Sequence, residues 1–406
     1  MTTIAEHKRA AEGHGYITAP GFIDLHAHLR EPGFEESETV ATGAIAAHAG
    51  GFTTICAMPN TEPAIDSPGL VAELIARGET ARAARSARVL PVACITRGRK
   101  GKELADLVEL AAAGAVAFSD DGSPVADAQL FRNALEYARA AGRPIFEHSQ
   151  DLALSAGGVM HEGVVSARLG LPGMPAAAEE SAIARDLSLV KLTGGRLHLS
   201  HVSTAGSVEL VRRAKADGLA ITCEVTPHHL ALTDEWVAGS RAFAWEDDGP
   251  RAAPYDTSTK VNPPLRTAAD VRACWEGLMD GTIDAIATDH APHASTRKDV
   301  EYQEAAFGIS VFETAVPLLL AGVAAGWGTW DRVVAALTTG PARVLGIDVP
   351  QNDLVVIDPA RRWTPTVLVS RGQNTPLIGR ELVGRVIGTL LDGEILKQEF
   401  APVGAS

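Results

Sequence analysis

The chain has 406 residues, 46% of them hydrophobic, and a formal net charge of −14. Its length suits one α/β barrel with an appendage, and its apolar content suffices for a large core. So acidic a chain argues against nucleic acid or an anionic membrane surface as its main partner, although a local cationic pocket can still take a small anionic substrate.

In chain order, the polar start MTTIAEHKRAAEGHGY has no apolar h-region, so no signal peptide is expected. Eight short apolar runs then predict strands at 21–28, 52–58, 88–95, 115–120, 144–148, 196–201, 219–225 and 282–289. Between most of them lie stretches with helical spacing. LADLVELAAAGA (104–115) and AQLFRNALEYARAAG (128–142) are examples, each with a glycine placed to stop a helix. Strand–helix alternation implies a parallel sheet, and eight repeats predict a closed TIM-type (β/α)₈ barrel over 20–349. The polar stretch 240–260 reads as a surface loop between strands 7 and 8. VPLLLAGVAAG (316–326) is shorter than the ~20 residues of a membrane helix and reads as a buried helix. Beyond residue 350, NDLVVIDP, TPTVLVS and GRVIGTLLDGEILK read as β-strands, with Asp392-Gly393 as a hairpin turn. With residues 1–19 they predict a small β appendage, 1–19 and 350–406. The four cysteines, Cys56, Cys94, Cys223 and Cys274, are widely spaced with no CxxC pair, as expected of a reduced, cytoplasmic chain.

Many of these strands end in a polar, ligand-capable residue: His26 and His28, Asp120 and Asp121, His148, His201, and Asp289. All strand C-termini of such a barrel meet on one face, where active sites are built. His26 and His28 are two apart on a strand and share a face, so both rings can reach one ion. Taken singly, a strand-end histidine is more often a hydrogen-bonded structural residue than a ligand. A carboxylate at a buried rim is costly unless paired or metal-bound. Four histidines with at least one aspartate form a nitrogen/oxygen set suited to zinc.

The stretches PGFIDLHAHLREPG (20–33), GGFTTICAMPNTEP (50–63), FSDDG (118–122), EHSQD (147–151), HLSHVST (198–204), CEVTPHHL (223–230), VNPPLR (261–266), GTIDAIATDHAPH (281–293), FGIS (307–310) and NTPLIGRELVGRV (374–386) resemble the amidohydrolase superfamily. More narrowly they resemble the type I branch of the dihydroorotases, in family order over nearly the whole chain. The resemblance implies a cyclic amide hydrolase that interconverts L-dihydroorotate and N-carbamoyl-L-aspartate in pyrimidine biosynthesis. It implies two zinc ions: His26 and His28 on the first, His148 and His201 on the second, and Asp121 bridging. Many relatives bridge with a carboxylated lysine, but no lysine stands near the end of strand 4. Asp120 then reads as a turn cap, and His198 is not the matching histidine of its HxxH stretch. Asp289 would touch the first metal and carry the proton from attacking water to the leaving nitrogen.

Arg30, Asn60 and His293 are implied to hold the substrate carboxylate, and Asn262 with the backbone at Phe307 and Gly308 the pyrimidine ring. The plainer alternative for Arg30 is a surface ion pair with Glu31 or Glu36. Glu224, His228 and His229 are expected to support the ligands from behind. The rivals are another cyclic amidase, allantoinase or dihydropyrimidinase-like, and a non-catalytic partner of aspartate carbamoyltransferase. Allantoinases typically carry Asn where Arg30 stands, dihydropyrimidinases usually rely on the lysine carbamate, and non-catalytic homologues typically lose metal histidines. A homo-oligomer and a possible complex with aspartate carbamoyltransferase are implied too. About 20 residues precede PGFIDLH, where family members usually have several dozen, so a reduced N-terminal share of the β appendage is expected.

Overall fold

The computed structural model describes residues 4–398. A helix, α1 (Ile4–Gly13), precedes strand β1 (Ile17–Pro20). Eight strands follow: β2 (Phe22–Ala27), β3 (Phe52–Ala57), β4 (Arg88–Ala93), β5 (Ala117–Phe118), β6 (Ile145–Glu147), β7 (Leu197–Leu199), β8 (Ile221–Val225) and β9 (Ala285–Ile286). Each falls inside one of the eight predicted runs. They form one parallel sheet in sequential order from β2 to β9. Every residue of β2 and β3 is buried, as in parallel strands covered on both faces, including the polar Asp24, His26, Thr53 and Thr54.

The seam between β2 and β9 is closed just beyond the strands. Ala27 bridges His290 in parallel, and the His28 N–H donates to His290 O at 2.9 Å. The Asp24 carboxylate reinforces it by accepting from Thr288 N (2.8 Å) and Thr288 Oγ1 (2.6 Å). The sheet is thus a (β/α)₈ barrel. An inner cluster that includes Ile23, Leu25, Val92 and Phe146 packs with Ala342, Val344 and Leu345 of the helix Thr339–Leu345. A larger apolar layer joins the strands to the surrounding helices.

The helix Ala128–Ala140 is capped by Asp127, which accepts from Gln129 N and Leu130 N, and Gly142 behind it has φ 71°. The other predicted helix is shortened to Leu107–Ala112 because Asp106 caps it from within the run. Residues 316–324 of the apolar stretch lie in the helix Phe312–Ala324, whose first two turns are mostly buried, while Ala324 is exposed and Ala325 and Gly326 follow the helix end. Among the described residues no helix is long and apolar enough to cross a membrane.

β10 (Leu354–Trp363), β11 (Leu382–Leu391) and β12 (Glu394–Gln398) form an antiparallel sheet with β1, in the order β1-β10-β11-β12. Asp392 (φ 53°) and Gly393 (φ 82°) are both left-handed, as a two-residue I′ hairpin turn requires. α1 was not foreseen in the polar N-terminal segment. Its Ala11 clusters with Leu354, Val356, Ile387 and Leu390 of this sheet. TPTVLVS is not a strand. Its backbone is bonded by side chains instead of a ladder: Leu368 N donates to Gln373 Oε1, and Val369 N to Glu313 Oε2. The loop 240–260 does run between β8 and β9, but it is not purely surface, since Arg241, Phe243, Thr259 and Lys260 are buried. Residues 1–3 and 399–406 of the expected appendage lie outside the described residues.

Candidate metal and substrate site

The strand ends converge. His26 and His28 leave the end of β2, Asp121 follows β5, His148 follows β6, His201 follows β7 and Asp289 follows β9; all six are buried. Asp121 sits at their centre. Its Oδ1 is 3.3 Å from His26 Nε2, 3.6 Å from His148 Nδ1 and 3.8 Å from His201 Nε2, and its Oδ2 is 3.6 Å from His28 Nε2. Asp289 Oδ1 lies 3.1 Å from His28 Nε2 and 3.6 Å from His26 Nε2. His148 Nδ1 and His201 Nε2 are 3.0 Å apart. Two trios have ligand atoms within 4.8 Å of one another: His26, His28 and Asp289, and His26, Asp121 and His201. The first is the expected grouping. The second takes His26 in place of His148.

Asp120 faces the other way. Its carboxylate accepts from Ile95 N (2.9 Å), Thr96 N (3.0 Å) and the Thr96 hydroxyl, so it ties strand ends together and leaves the centre to Asp121. Glu224 Oε1 lies 3.2 Å from His26 Nδ1, and its Oε2 is 3.0 Å from His198 Nε2. An Nδ1–H donated to Glu224 leaves the His26 Nε2 lone pair facing the cavity. Burial opposes ionisation of Glu224, but His198 and His26 hold its pKa down at about 2. Asn60 does the same for His28, with Oδ1 2.8 Å from Nδ1, while its Nδ2 donates to Asp121 Oδ2 (3.1 Å). Asn60 is therefore turned toward the histidines. His229 is bonded to Thr226 and Pro263 O, whereas both ring nitrogens of the buried His228 lack a partner.

The rim carries the remaining residues. Arg30 does not pair with Glu31, which takes Arg77 instead. Its Nε donates to Pro292 O (3.1 Å), and its Nη2 lies 3.3 Å from His293 Nε2. Burial lowers Arg30 to about 10, so it stays charged at neutral pH. His293 Nε2 is 2.7 Å from Phe307 O, and burial beside Arg30 lowers that histidine to about 2. Asn262 Nδ2 donates to Gln150 Oε1 (2.8 Å). Gly308 (φ 143°) lets the wall close in: a Cβ there would stand 2.6 Å from Ala291 O and 3.0 Å from His293 Nε2. His28, Arg30, Asn60, Asp121, His148, His201, Asn262, Asp289, His293, Phe307 and Gly308 all line one cavity of about 200 Å³, with His26 buried to 1% exposure.

A family model described as "Dihydro-orotase-like" matches residues 15–207. A dihydroorotase of Anaeromyxobacter sp. (strain K) is 52% identical over 399 residues, covering 96% of this chain and 88% of that protein. One of Pelotomaculum thermopropionicum is 50% identical over 394 residues, covering 95% and 88%. The chain belongs to the dihydroorotase family. In fold, this dihydroorotase chain is similar to the L-hydantoinase (dihydropyrimidinase) of Arthrobacter aurescens, at a TM-score of 0.80 and 23% identity, over 96% of this chain and 87% of that one. The dihydropyrimidinase of Brevibacillus agri superposes with a TM-score of 0.75 at 22% identity, over 96% and 86%.

The donor set of this dihydroorotase chain fits a metal centre. Burial opposes ionisation of Asp121 and Asp289, but neighbouring histidines hold both carboxyls below the ordinary range, so both are carboxylate anions of the kind a cation binds. His26 Nε2, the ring nitrogen that faces Asp121 and Asp289, is buried with no hydrogen-bond partner, unlike most buried polar atoms. Imidazole and carboxylate together suit a borderline divalent cation. Arg30 (φ 65°), His201 (φ 36°) and Asp289 (φ 46°) occupy the left-handed region, a strain that packed surroundings must hold in place.

Gln150 was missed. Its Oε1 is 2.6 Å from His148 Nε2, which turns His148 Nδ1 toward Asp121. Its place two residues after His148 in EHSQD was the available signal. Asp24, two residues before His26, was missed too: it accepts from His26 N at 3.2 Å while holding Thr288.

Proposed function

We propose that the chain is a metal-dependent dihydroorotase that reversibly hydrolyses L-dihydroorotate to N-carbamoyl-L-aspartate in pyrimidine biosynthesis. In this reading two zinc ions are held by His26, His28, Asp121, His148, His201 and Asp289. The carrying observation is that Arg30, a charged guanidinium, stands on the rim of the same cavity whose floor is the histidine–carboxylate cluster. When bound, such ions make coordinated water acidic enough to supply hydroxide near neutrality and polarise an amide carbonyl.

The chain's own groups do the rest. Asp289, held ionised, takes the proton of the water that adds to the amide carbonyl carbon. As the C–N bond breaks, the same carboxyl returns that proton to the ring nitrogen, and ring closure reverses both transfers. Arg30 offers two N–H groups to the ring carboxylate, a geometry a guanidinium matches. His293 stays neutral beside it, so the positive charge at this end is concentrated on Arg30. Asn262, Phe307 and Gly308 border the ring.

The Arg30 placement favours an anionic cyclic amide over the uncharged rings of hydantoinase-type or allantoinase-type substrates. Four buried free thiols support a cytoplasmic setting. The reading extends to a homo-oligomer able to contact aspartate carbamoyltransferase, checked by light scattering of each protein alone and mixed. The deciding experiment measures turnover of L-dihydroorotate and of dihydrouracil on one sample, with metal analysis. Clear preference for dihydroorotate in a metal-loaded sample is expected, and equal use of both would remove the Arg30 role.

A further inference from the structure

We propose that Asn374 is a positioning residue for substrate binding, whose amide clamps the two loops that form the carboxylate and ring end of the cavity. The role rests on the dihydroorotase reading above. Asn374 lies far beyond the barrel in sequence, between β10 and β11, yet it is only 5% exposed. Its Oδ1 accepts from His293 N at 2.8 Å, and its Nδ2 donates to Ala291 O and Gly308 O, both at 3.0 Å. One side chain thus ties three backbone groups, two on the segment after Asp289 and one at Gly308. An amide is the group that can accept from one peptide and donate to two others.

The wall behind the clamp is packed at backbone contact. Ser310 N donates to Asn374 O (2.9 Å), and Ser310 Oγ to Gly372 O (2.7 Å). A Cβ on Gly372 would stand 2.5 Å from Pro292 Cβ and 2.7 Å from His293 N. Pro292 O is the acceptor for Arg30 Nε, so the guanidinium hangs from the same clamped segment. The histidine–carboxylate floor is held differently, through the strand ends, Glu224, Asn60 and Gln150. Loosening the clamp therefore displaces the groups that hold the substrate and leaves those that react with it.

The test is steady-state kinetics on the metal-loaded enzyme, with metal content and thermal melting of each variant. Asn374→Ala and the nearly isosteric Asn374→Asp both leave Ala291 O and Gly308 O without their donor. Each should raise KM for dihydroorotate about 10-fold or more, with kcat within about threefold and metal content unchanged, as expected for lost hydrogen bonds at buried carbonyls. Gly372→Ala, which pushes the same wall, should raise KM likewise. Gln373→Ala removes bonds to Leu368 and Ser370 only and should leave KM within about twofold. An unchanged KM in Asn374→Asp, an equal rise in Gln373→Ala, or loss of metal with kcat would each overturn the clamp while leaving the activity assignment intact. A wild-type enzyme inert toward dihydroorotate would remove both.

Discussion

At the scale of single residues, two neighbours show how side-chain direction divides labour. Asp120 and Asp121 are adjacent, but only Asp121 faces the histidines, while Asp120 holds Ile95 N and Thr96 N. Asp121→Ala should lower bound metal, measured by elemental analysis of the purified protein. Asp120→Ala should instead keep metal and lose stability, on the order of 1–3 kcal/mol for each N–H orphaned, seen as a lower denaturant midpoint. The opposite pattern would put the metal-bridging role on Asp120. Asp289→Asn keeps the size and removes the proton acceptor. It should cut kcat by at least ~100-fold with an unchanged circular dichroism spectrum, and near wild-type turnover would remove Asp289 from the proton path.

At the scale of elements, one buried carboxyl in a short helical turn makes stability depend on pH. Asp234 opens a short helical turn, Asp234–Trp236, and its residue is 6% exposed. Burial, then the neighbouring Glu235, raise its carboxyl to about 6. Between the unfolded value near 4 and that folded value, the native state binds more protons than the unfolded one. This contribution to stability therefore falls as pH rises from about 4 to about 6 and stays lost above it. Asp234→Asn removes the titration. Its stability should exceed wild type by about 1–3 kcal/mol at pH 7 and by less at pH 4. Urea midpoints at the two pH values give the comparison; a difference independent of pH would assign the gain to packing.

At the scale of the whole molecule, six buried ligand-type side chains from five strand ends are coupled to barrel closure through Asp24 and Thr288. A cation that binds only the folded site stabilises it by mass action, about 2.7 kcal/mol at 100 times Kd. Dialysis against a chelator should abolish turnover and lower Tm by several degrees, and zinc should restore both. A Tm indifferent to chelation would mean that the histidine–carboxylate floor is stable without metal.

Much of this was legible in the chain. The barrel strands are mostly buried, so each stands out as a short apolar-rich run that needs no knowledge of its neighbours. The metal-type residues stand at the ends of those runs, so barrel topology implied that His26, His28, His148, His201 and Asp289 converge with one of Asp120 and Asp121, and the family resemblance singled out Asp121. What only the tertiary structure decided was pairing. TPTVLVS has strand composition, but Gln373 and Glu313 take its backbone bonds, and α1 arises where a polar segment finds the apolar face of a sheet. Glu224 orients His26 across 198 residues, Thr288 meets Asp24 across 264, and Asn374 reaches Ala291 across 83. Periodicity and spacing act over one element, whereas a hydrogen bond between loops depends on where the folded barrel brings their backbones.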